Sequence, residues 1–284
     1  MVGESAATFA NPAVLEFYRL CPFNLRESPE QHAQAIRSAD ATAAYPVLPP
    51  LLGPGVRVLE VGCGTGWFSN AMALHHHAIV HGIDFNPVAI EQARAVAQVL
   101  RLPTTFEVAD LFRFETTERF DVVVSLGVLH HTDDCMAGVR RLCERLVRPG
   151  GHVLVGLYHI HGRAPFLAHF AALKAAGAST AELLARYRTL HAEVAADETH
   201  LQSWFRDQVL HPHETQHTLA EMLPVLAEAN MELTATSLNR FGPVEPIASV
   251  LQAEEGYREL AQQRLRANRF FPGFFVFLAR RRAH

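Results

Sequence analysis

Residues 56–69 read "VRVLEVGCGTGWFS". A run of β-branched and apolar residues ends in three glycines, Gly62, Gly64 and Gly66, and a new apolar segment starts at Trp67. The run has the length of a buried strand. The glycines let the backbone bend sharply into a following helix and let a ligand approach it closely. A strand, a glycine turn and a helix form the opening unit of many doubly wound α/β sheets. The remainder of the chain decides whether that architecture continues.

It continues through four more strand-like runs: AIVHGID (78–84), TFEVAD (105–110), FDVVVSLG (120–127) and HVLVGLY (152–158). All are dense in β-branched residues, as parallel strands buried on both faces are. Between them, residues 87–100 place Ile90, Ala93, Val96, Ala97 and Leu100 at helical spacing, with Pro87 in the first turn. Residues 133–147 read as another helix, stopped by Pro149-Gly150-Gly151. Beyond residue 158 the pattern changes. Residues 160–210 look helical and are rich in His and aromatic residues, and LTATSLNRF (233–241) and GFFVFLARR (273–281) read as two more strands. The stretch between those two is far longer than a hairpin needs and is helical around residues 254–268.

The expected fold is therefore α/β: a Rossmann-like doubly wound sheet of about seven strands, with helical insertions after strand five and between strands six and seven forming a cap. A competing reading makes the insertions packing elements or an oligomer interface. The expected divisions are an N-terminal helical lid (1–50), a cofactor-binding core (51–158), a helical cap (159–217) and a C-terminal completion of the sheet (218–284) with an insertion at about 243–270.

Composition narrows the function classes. Hydrophobic residues make up 49% and charged residues 19%, and the net charge is −4, which suits a soluble globular domain and argues against broad nucleic-acid binding. Lys174 is the only lysine, and Arg280, Arg281 and Arg282 form the only dense basic run. The N-terminal segment shows no basic and apolar succession of a secretory leader, and no run approaches the length of a membrane span. Cys21, Cys63, Cys135 and Cys143 have no C-x-x-C spacing, which fits reduced thiols in a cytoplasmic setting. Neither nucleic acid nor membrane is an expected partner; a homodimer is compatible with the chain.

The glycine turn is G-x-G-x-G, with Trp67 where a dinucleotide fingerprint needs glycine, and Glu60 stands just before it. Bulk and negative charge disfavour a phosphate there and favour a cationic or zwitterionic ligand. Asp84 ends the second strand about 20 residues on, where a carboxylate can hold ribose hydroxyls, and Asp110 ends the third. Taken singly, each acid reads equally well as a cap or turn residue.

In order, "VLEVGCGTGWFS", "HGIDFNPVAIEQAR", "FEVADL", "RFDVVVSLGVLHH" and "LVRPGGHVLVGLY" resemble the motifs of class I S-adenosylmethionine-dependent methyltransferases of the small-molecule type. The resemblance covers about residues 50–158. It implies S-adenosyl-L-methionine as cofactor, with Glu60, Gly62, Cys63, Gly64 and Gly66 around its methionine part. It places Asp84 on the ribose, Phe85 on the adenine, Asp110 and Leu111 at the adenine amino group, and Leu126 under the sulfonium. The family often folds an N-terminal helix over its cofactor, which makes Phe17, Tyr18 and Phe23 candidates for the lid.

Methyl transfer from a sulfonium is an in-line displacement in which the protein chiefly positions the nucleophile, with a base where a proton must leave. Strands four and five offer His131, Tyr158 and His159 as catalytic candidates, His131 first because its pKa lies near working pH. The turn SLGVLHH is not the N/D-P-P-F/Y of amino-methylating nucleic-acid enzymes, so a natural-product or quinone-like small molecule is the expected acceptor. Phe23, Trp204, Gln208, His211, His213, Glu214 and His217 are the candidate acceptor-binding residues.

His213, Glu214 and His217 also spell H-E-x-x-H within "HPHETQHT" (211–218), the pattern of a helical zinc-protease site. Pro212 permits a helix over 213–217, whereas Thr218 and Glu221 make a capping box for a helix starting after 218. A zinc hydrolase, a metal that orients the acceptor, and a cofactor-binding protein with regulatory or non-methylating chemistry are the alternatives. The working expectation is a methyltransferase with no metal ligands.

Overall fold

The computed structural model describes residues 12–192 and 198–283. Residues 1–11, where the leader reading and the start of the expected lid fall, and residues 193–197 of the expected cap lie outside the described residues. Two helices precede the sheet, α1 (Pro12–Leu20) and α2 (Pro29–Ser38). The central alternation follows: β1 (Arg57–Val61), α3 (Trp67–His76), β2 (Ile79–Asp84), α4 (Pro87–Leu100), β3 (Thr105–Val108), β4 (Phe120–Leu126), α5 (Cys135–Arg141) and β5 (Val147–Tyr158). The remaining elements are α6 (Ile160–Ala175), α7 (Thr180–Leu190), α8 (Glu198–Phe205), α9 (Leu219–Glu228), β6 (Met231–Thr236), α10 (Ile247–Arg266) and β7 (Phe274–Arg281).

The seven strands form one sheet in the order β3-β2-β1-β4-β5-β7-β6. β7 runs antiparallel to both β5 and β6, and the other neighbouring pairs are parallel. The strand order reverses between β1 and β4, so their carboxyl ends diverge there and leave the crevice in which such sheets hold ligands. Both faces of the sheet are covered. Leu59, Val123, Val153 and Phe277 pack with Val139, Leu142, Met222 and Leu226 on one side. Val58, Val122, Leu154 and Leu278 pack with Phe68, Met72 and Leu48 on the other. α6, α7 and α8 carry a separate apolar core of Phe166, Phe170, Tyr187, Leu201 and Phe205. Among the described residues no helix is long and apolar enough to cross a membrane.

The expected architecture agrees with the sheet, but several boundaries differ. The helix expected over 133–147 keeps α geometry only to Arg141 and finishes as a π turn, Leu142–Leu146. Its stop is not Pro149-Gly150-Gly151. β5 already begins at Val147, which pairs with Phe120 across an irregularity in register, so those three residues lie within the strand. β6 ends at Thr236, not 241: the Thr236 hydroxyl bonds the Leu238 N–H, and Arg240 and Phe241 have positive φ, which breaks the extended run. The helix of the last insertion starts at Ile247, one turn and more before residue 254.

α9 begins as the capping box requires. The Thr218 hydroxyl accepts from the Glu221 N–H while Glu221 accepts from the Thr218 N–H. Pro224 sits inside that helix. Residues 213–217 are accordingly not helical. They run beside the end of β5, with the Thr215 N–H donating to the His130 carbonyl and the His217 N–H donating to the Tyr158 carbonyl.

Candidate functional site

A cavity of about 630 Å³ opens at the carboxyl ends of β1, β2 and β4. The glycine turn forms its floor. Gly62 and Cys63 donate N–H bonds to the Ile83 carbonyl at 2.8 and 3.0 Å, tying the turn to the end of β2. Gly64 has φ +50°, and a Cβ built on it would stand in open space. Its N–H donates to Asp84 Oδ2 at 2.9 Å. Gly66 does not line the cavity. It starts α3 with φ +78°, and a Cβ there would meet Ala93 Cβ at 2.8 Å, so its work is to let α3 pack closely against α4.

Two carboxylates border this floor. Asp84 also accepts from the Asn86 N–H at 2.8 Å, and burial pushes its pKa up to about 6 against the pull of its two backbone donors. Asp110 accepts from the Phe112 N–H at 2.9 Å. Phe85 and Leu111 stand beside them on the wall. Deeper, Glu60 receives the Ser69 hydroxyl, and burial pushes its pKa up to about 8. Thr65 Oγ1, on the same wall, is buried without a hydrogen-bond partner among the described residues. Arg26, stacked over the Trp67 ring, is the one arginine among the lining residues, and none of them is lysine. This end of the cavity therefore suits hydroxyls, an amine and positive charge in preference to phosphate.

The other end is aromatic. Tyr18, Phe23, His131, Tyr158 and Trp204 line it, with Leu126 between the two ends. Phe23 stacks on Trp204 with ring centroids 5.8 Å apart. Tyr18 reaches across from α1, and its hydroxyl donates to Asp207 Oδ1. The Tyr158 hydroxyl donates to Asp207 Oδ2 at 3.4 Å, and His131 Nε2 lies 3.8 Å from Oδ1. Burial raises the Asp207 carboxyl above its usual range and lowers His131 to about 4, which leaves the imidazole neutral at neutral pH. Gln208, adjacent on the wall, accepts from the Tyr187 hydroxyl at 2.9 Å.

The cavity thus brings together Tyr18, Phe23, Glu60, Gly62, Cys63, Gly64, Asp84, Phe85, Asp110, Leu111, Leu126, His131, Tyr158, Trp204 and Gln208 from the sequence-expected set. It leaves out six besides Gly66. Phe17, a lid candidate on α1, packs its ring against His211 with centroids 5.0 Å apart, outside the lining. His159 is fully buried behind β5, where its Nε2 meets Glu254 at 2.9 Å. His211 packs its ring against His131 at 3.8 Å, outside the lining. His213 bonds the Thr132 carbonyl through Nε2 at 3.2 Å. Glu214 is claimed by a two-pronged ion pair with the buried Arg163, at 3.1 and 2.8 Å. Burial opposes its ionisation, but Arg163 outweighs that and holds the carboxyl below its usual range. His217 faces Glu221 and Thr215.

The H-E-x-x-H stretch is thus a buttress behind the aromatic end and does not carry two imidazoles on one helix face. Among the described residues no group of three His, Cys, Asp or Glu side chains is arranged to hold a metal ion. Sequence reasoning missed Asp207, Arg26, His200 and Asn24 on the wall, and Arg163 behind it. The one signal for Asp207 is its place inside SWFRDQVLHPHETQHT (203–218), a stretch too polar and aromatic for plain core.

A family model described as a methyltransferase domain matches residues 52–230. Among curated proteins, the ubiquinone biosynthesis O-methyltransferase of Pseudomonas putida (strain W619) is 40% identical over 120 residues, covering 40% of this chain and 49% of that protein. The protein of the same name from Proteus mirabilis is 34% identical over 115 residues, covering 40% and 46%. The matched part of the chain spans about half the length of these curated relatives. Among solved structures, PKMT2 of Rickettsia typhi in complex with AdoHcy superposes with a TM-score of 0.56 at 17% identity, over 80% of this chain and 50% of that one. The magnesium protoporphyrin IX methyltransferase of Synechocystis PCC 6803 with bound SAH gives 0.50 at 18% identity, over 88% and 83%. At such identities the likeness is one of fold.

Proposed function

The chain belongs to the methyltransferase-domain family, and on that footing we propose that it is an S-adenosylmethionine-dependent methyltransferase acting on a small, largely flat aromatic acceptor of natural-product or quinone-like type. The observation that carries the reading is the pairing of Asp84 and Asp110 at the ends of adjacent strands, on the same cavity as the glycine turn. The donor set fits the cofactor. Two carboxylates suit a diol and an amine, the open space at Gly64 suits close backbone approach, and Thr65 Oγ1 is a buried polar atom left for a ligand to satisfy.

Asp84 would hold the ribose hydroxyls, and Phe85, Asp110 and Leu111 the adenine. Gly62, Cys63, Gly64 and Glu60 would surround the methionine part, with Leu126 below and Tyr18 above. The bound cofactor supplies an electrophilic methyl group. What this chain adds is orientation and exclusion of water: α1 covers the crevice, and Phe23, Trp204 and Tyr158 would grip a flat acceptor by its faces. His131 presents a neutral imidazole that can accept a hydrogen bond from the acceptor; burial, which lowers its pKa to about 4, opposes the expected role as a base near working pH. The names of the curated relatives support an oxygen nucleophile on a quinone-type ring for this chain as well.

The test is transfer of a tritiated methyl group from S-adenosylmethionine to a panel of hydroxylated and aminated aromatic compounds. The reading expects labelled product and S-adenosylhomocysteine with at least one member. Cofactor binding without any transfer across the panel would overturn the enzyme assignment.

A further inference from the structure

Among the described residues Asp207, a buried carboxylate, has no cationic hydrogen-bond partner. It is 6% exposed, its hydrogen-bond partners are the hydroxyls of Tyr18 and Tyr158, and the neutral imidazole of His131 lies 3.8 Å away, beyond hydrogen-bond reach. Arg163 of the cap acts on Asp207 through its charge but makes no hydrogen bond to it among the described residues. Its Nε and Nη2 bond Glu214 and the Gln208 carbonyl, and its face lies 4.1 Å from the Tyr158 ring centroid. A charge or potential charge kept this deep without a paired cation is costly to the fold. An ionised carboxylate accepts about four hydrogen bonds, and Asp207 has two, so acceptor capacity remains.

Two further observations point that capacity at a ligand. His131 Nδ1 lies 2.9 Å from the His213 carbonyl and must be the protonated nitrogen, because a carbonyl only accepts. Nε2 is then a lone pair, buried on the cavity wall with no hydrogen-bond partner among the described residues. Asp207 itself sits on a π turn, Arg206–Leu210, that continues α8. The extra residue in that turn lets Asp207 and Gln208 both reach the cavity, and such turns recur at functional sites.

We propose that Asp207 and His131 Nε2 together read a proton-bearing group on the acceptor, so that Asp207 determines specificity: the acceptor is an aromatic molecule presenting a hydroxyl or amine donor, and analogues with that donor blocked are rejected. The inference rests on the proposed methyltransferase reading, because it places the acceptor beside the cofactor end of the cavity. Oxygen and nitrogen donors share the chemistry that Asp207 detects, and the experiment separates them.

The probes are 2-naphthol against 2-methoxynaphthalene, and 2-naphthylamine against its N,N-dimethyl derivative. Each is titrated by fluorescence anisotropy into the full chain saturated with S-adenosylhomocysteine. In the native protein the hydroxyl or the amine member binds about tenfold or more tightly than its blocked partner, the ratio a charge-assisted hydrogen bond gives. The pair showing the larger ratio identifies the donor element. In Asp207→Asn, which keeps shape and volume, that ratio falls below about threefold, while the blocked compound binds as before. His131→Asn keeps a side-chain N–H for the His213 carbonyl and removes Nε2, and it lowers the same ratio. Equal binding of blocked and unblocked probes to the native protein, no binding of any probe, or an unchanged ratio in both variants would overturn the proposal. Calorimetric titration with S-adenosylhomocysteine separates the two levels. Its failure on native protein sinks the methyltransferase reading, whereas its success with an Asp207-independent ratio sinks only this inference.

Discussion

At the scale of single residues, burial holds three of the cavity's acids, Glu60, Asp84 and Asp207, away from their ordinary state. Glu60 keeps its proton to about pH 8 in the folded chain, whereas in the unfolded chain it ionises near about 4.3. Between those values the folded state binds more protons, so stability falls as pH rises and the loss is complete above about 8. Asp84, raised to about 6, contributes a loss of the same sign at lower pH. Glu60→Gln removes the upper part of that slope. Its melting temperature should match the native protein near pH 4, exceed it progressively from pH 5 to about 8 and gain no further above that; parallel curves would refute the raised pKa. The glycines separate by role in the same way. Gly66→Ala meets Ala93 at 2.8 Å with φ +78° and should destabilise by about 2 kcal/mol or more. Gly64→Ala, facing open space, should cost only about 1 kcal/mol of fold while weakening ligand binding. Urea unfolding and a ligand titration read the two effects apart.

At the scale of elements, α9 and α10 are fixed to each other and to the end of β5 by one side chain. The Glu254 carboxylate of α10 accepts from the Leu219 and Ala220 N–H groups at the start of α9 and from buried His159. Glu254→Ala leaves those donors buried and should cost about 2–4 kcal/mol. Thr218→Ala removes one capping bond and should cost about 1 kcal/mol. Denaturant midpoints at constant slope check both. The strands and turns of residues 56–158 are legible in sequence because local chemistry decides them: β-branched runs, glycines at tight bends, and acids at strand ends. The cap is not legible in that way. Asp207, on the π turn after α8, meets Tyr18 of α1, His131 after β4 and Tyr158 of β5 only in the tertiary packing, a relation that no short spacing encodes. H-E-x-x-H misleads for the converse reason. Thr218 caps α9 from outside, so the five residues before it run extended and their side chains find unrelated partners.

At the scale of the whole molecule, one sheet and two added segments make a single crevice. The sheet contributes the glycine turn and Asp84, the N-terminal segment contributes Tyr18 and Phe23, and the cap contributes Trp204, Asp207 and Gln208. A ligand bound across these parts stabilises the folded chain as one unit, by about 2.7 kcal/mol at a hundred times its Kd. The claim on which the account turns is that Asp84 and the glycine turn hold S-adenosylmethionine. Calorimetric titration of S-adenosylhomocysteine into the native chain and into Asp84→Asn tests it most directly. The account predicts one site on the native chain and an affinity lower by about tenfold or more in the variant. No binding to the native chain, or equal affinity for both, would contradict it.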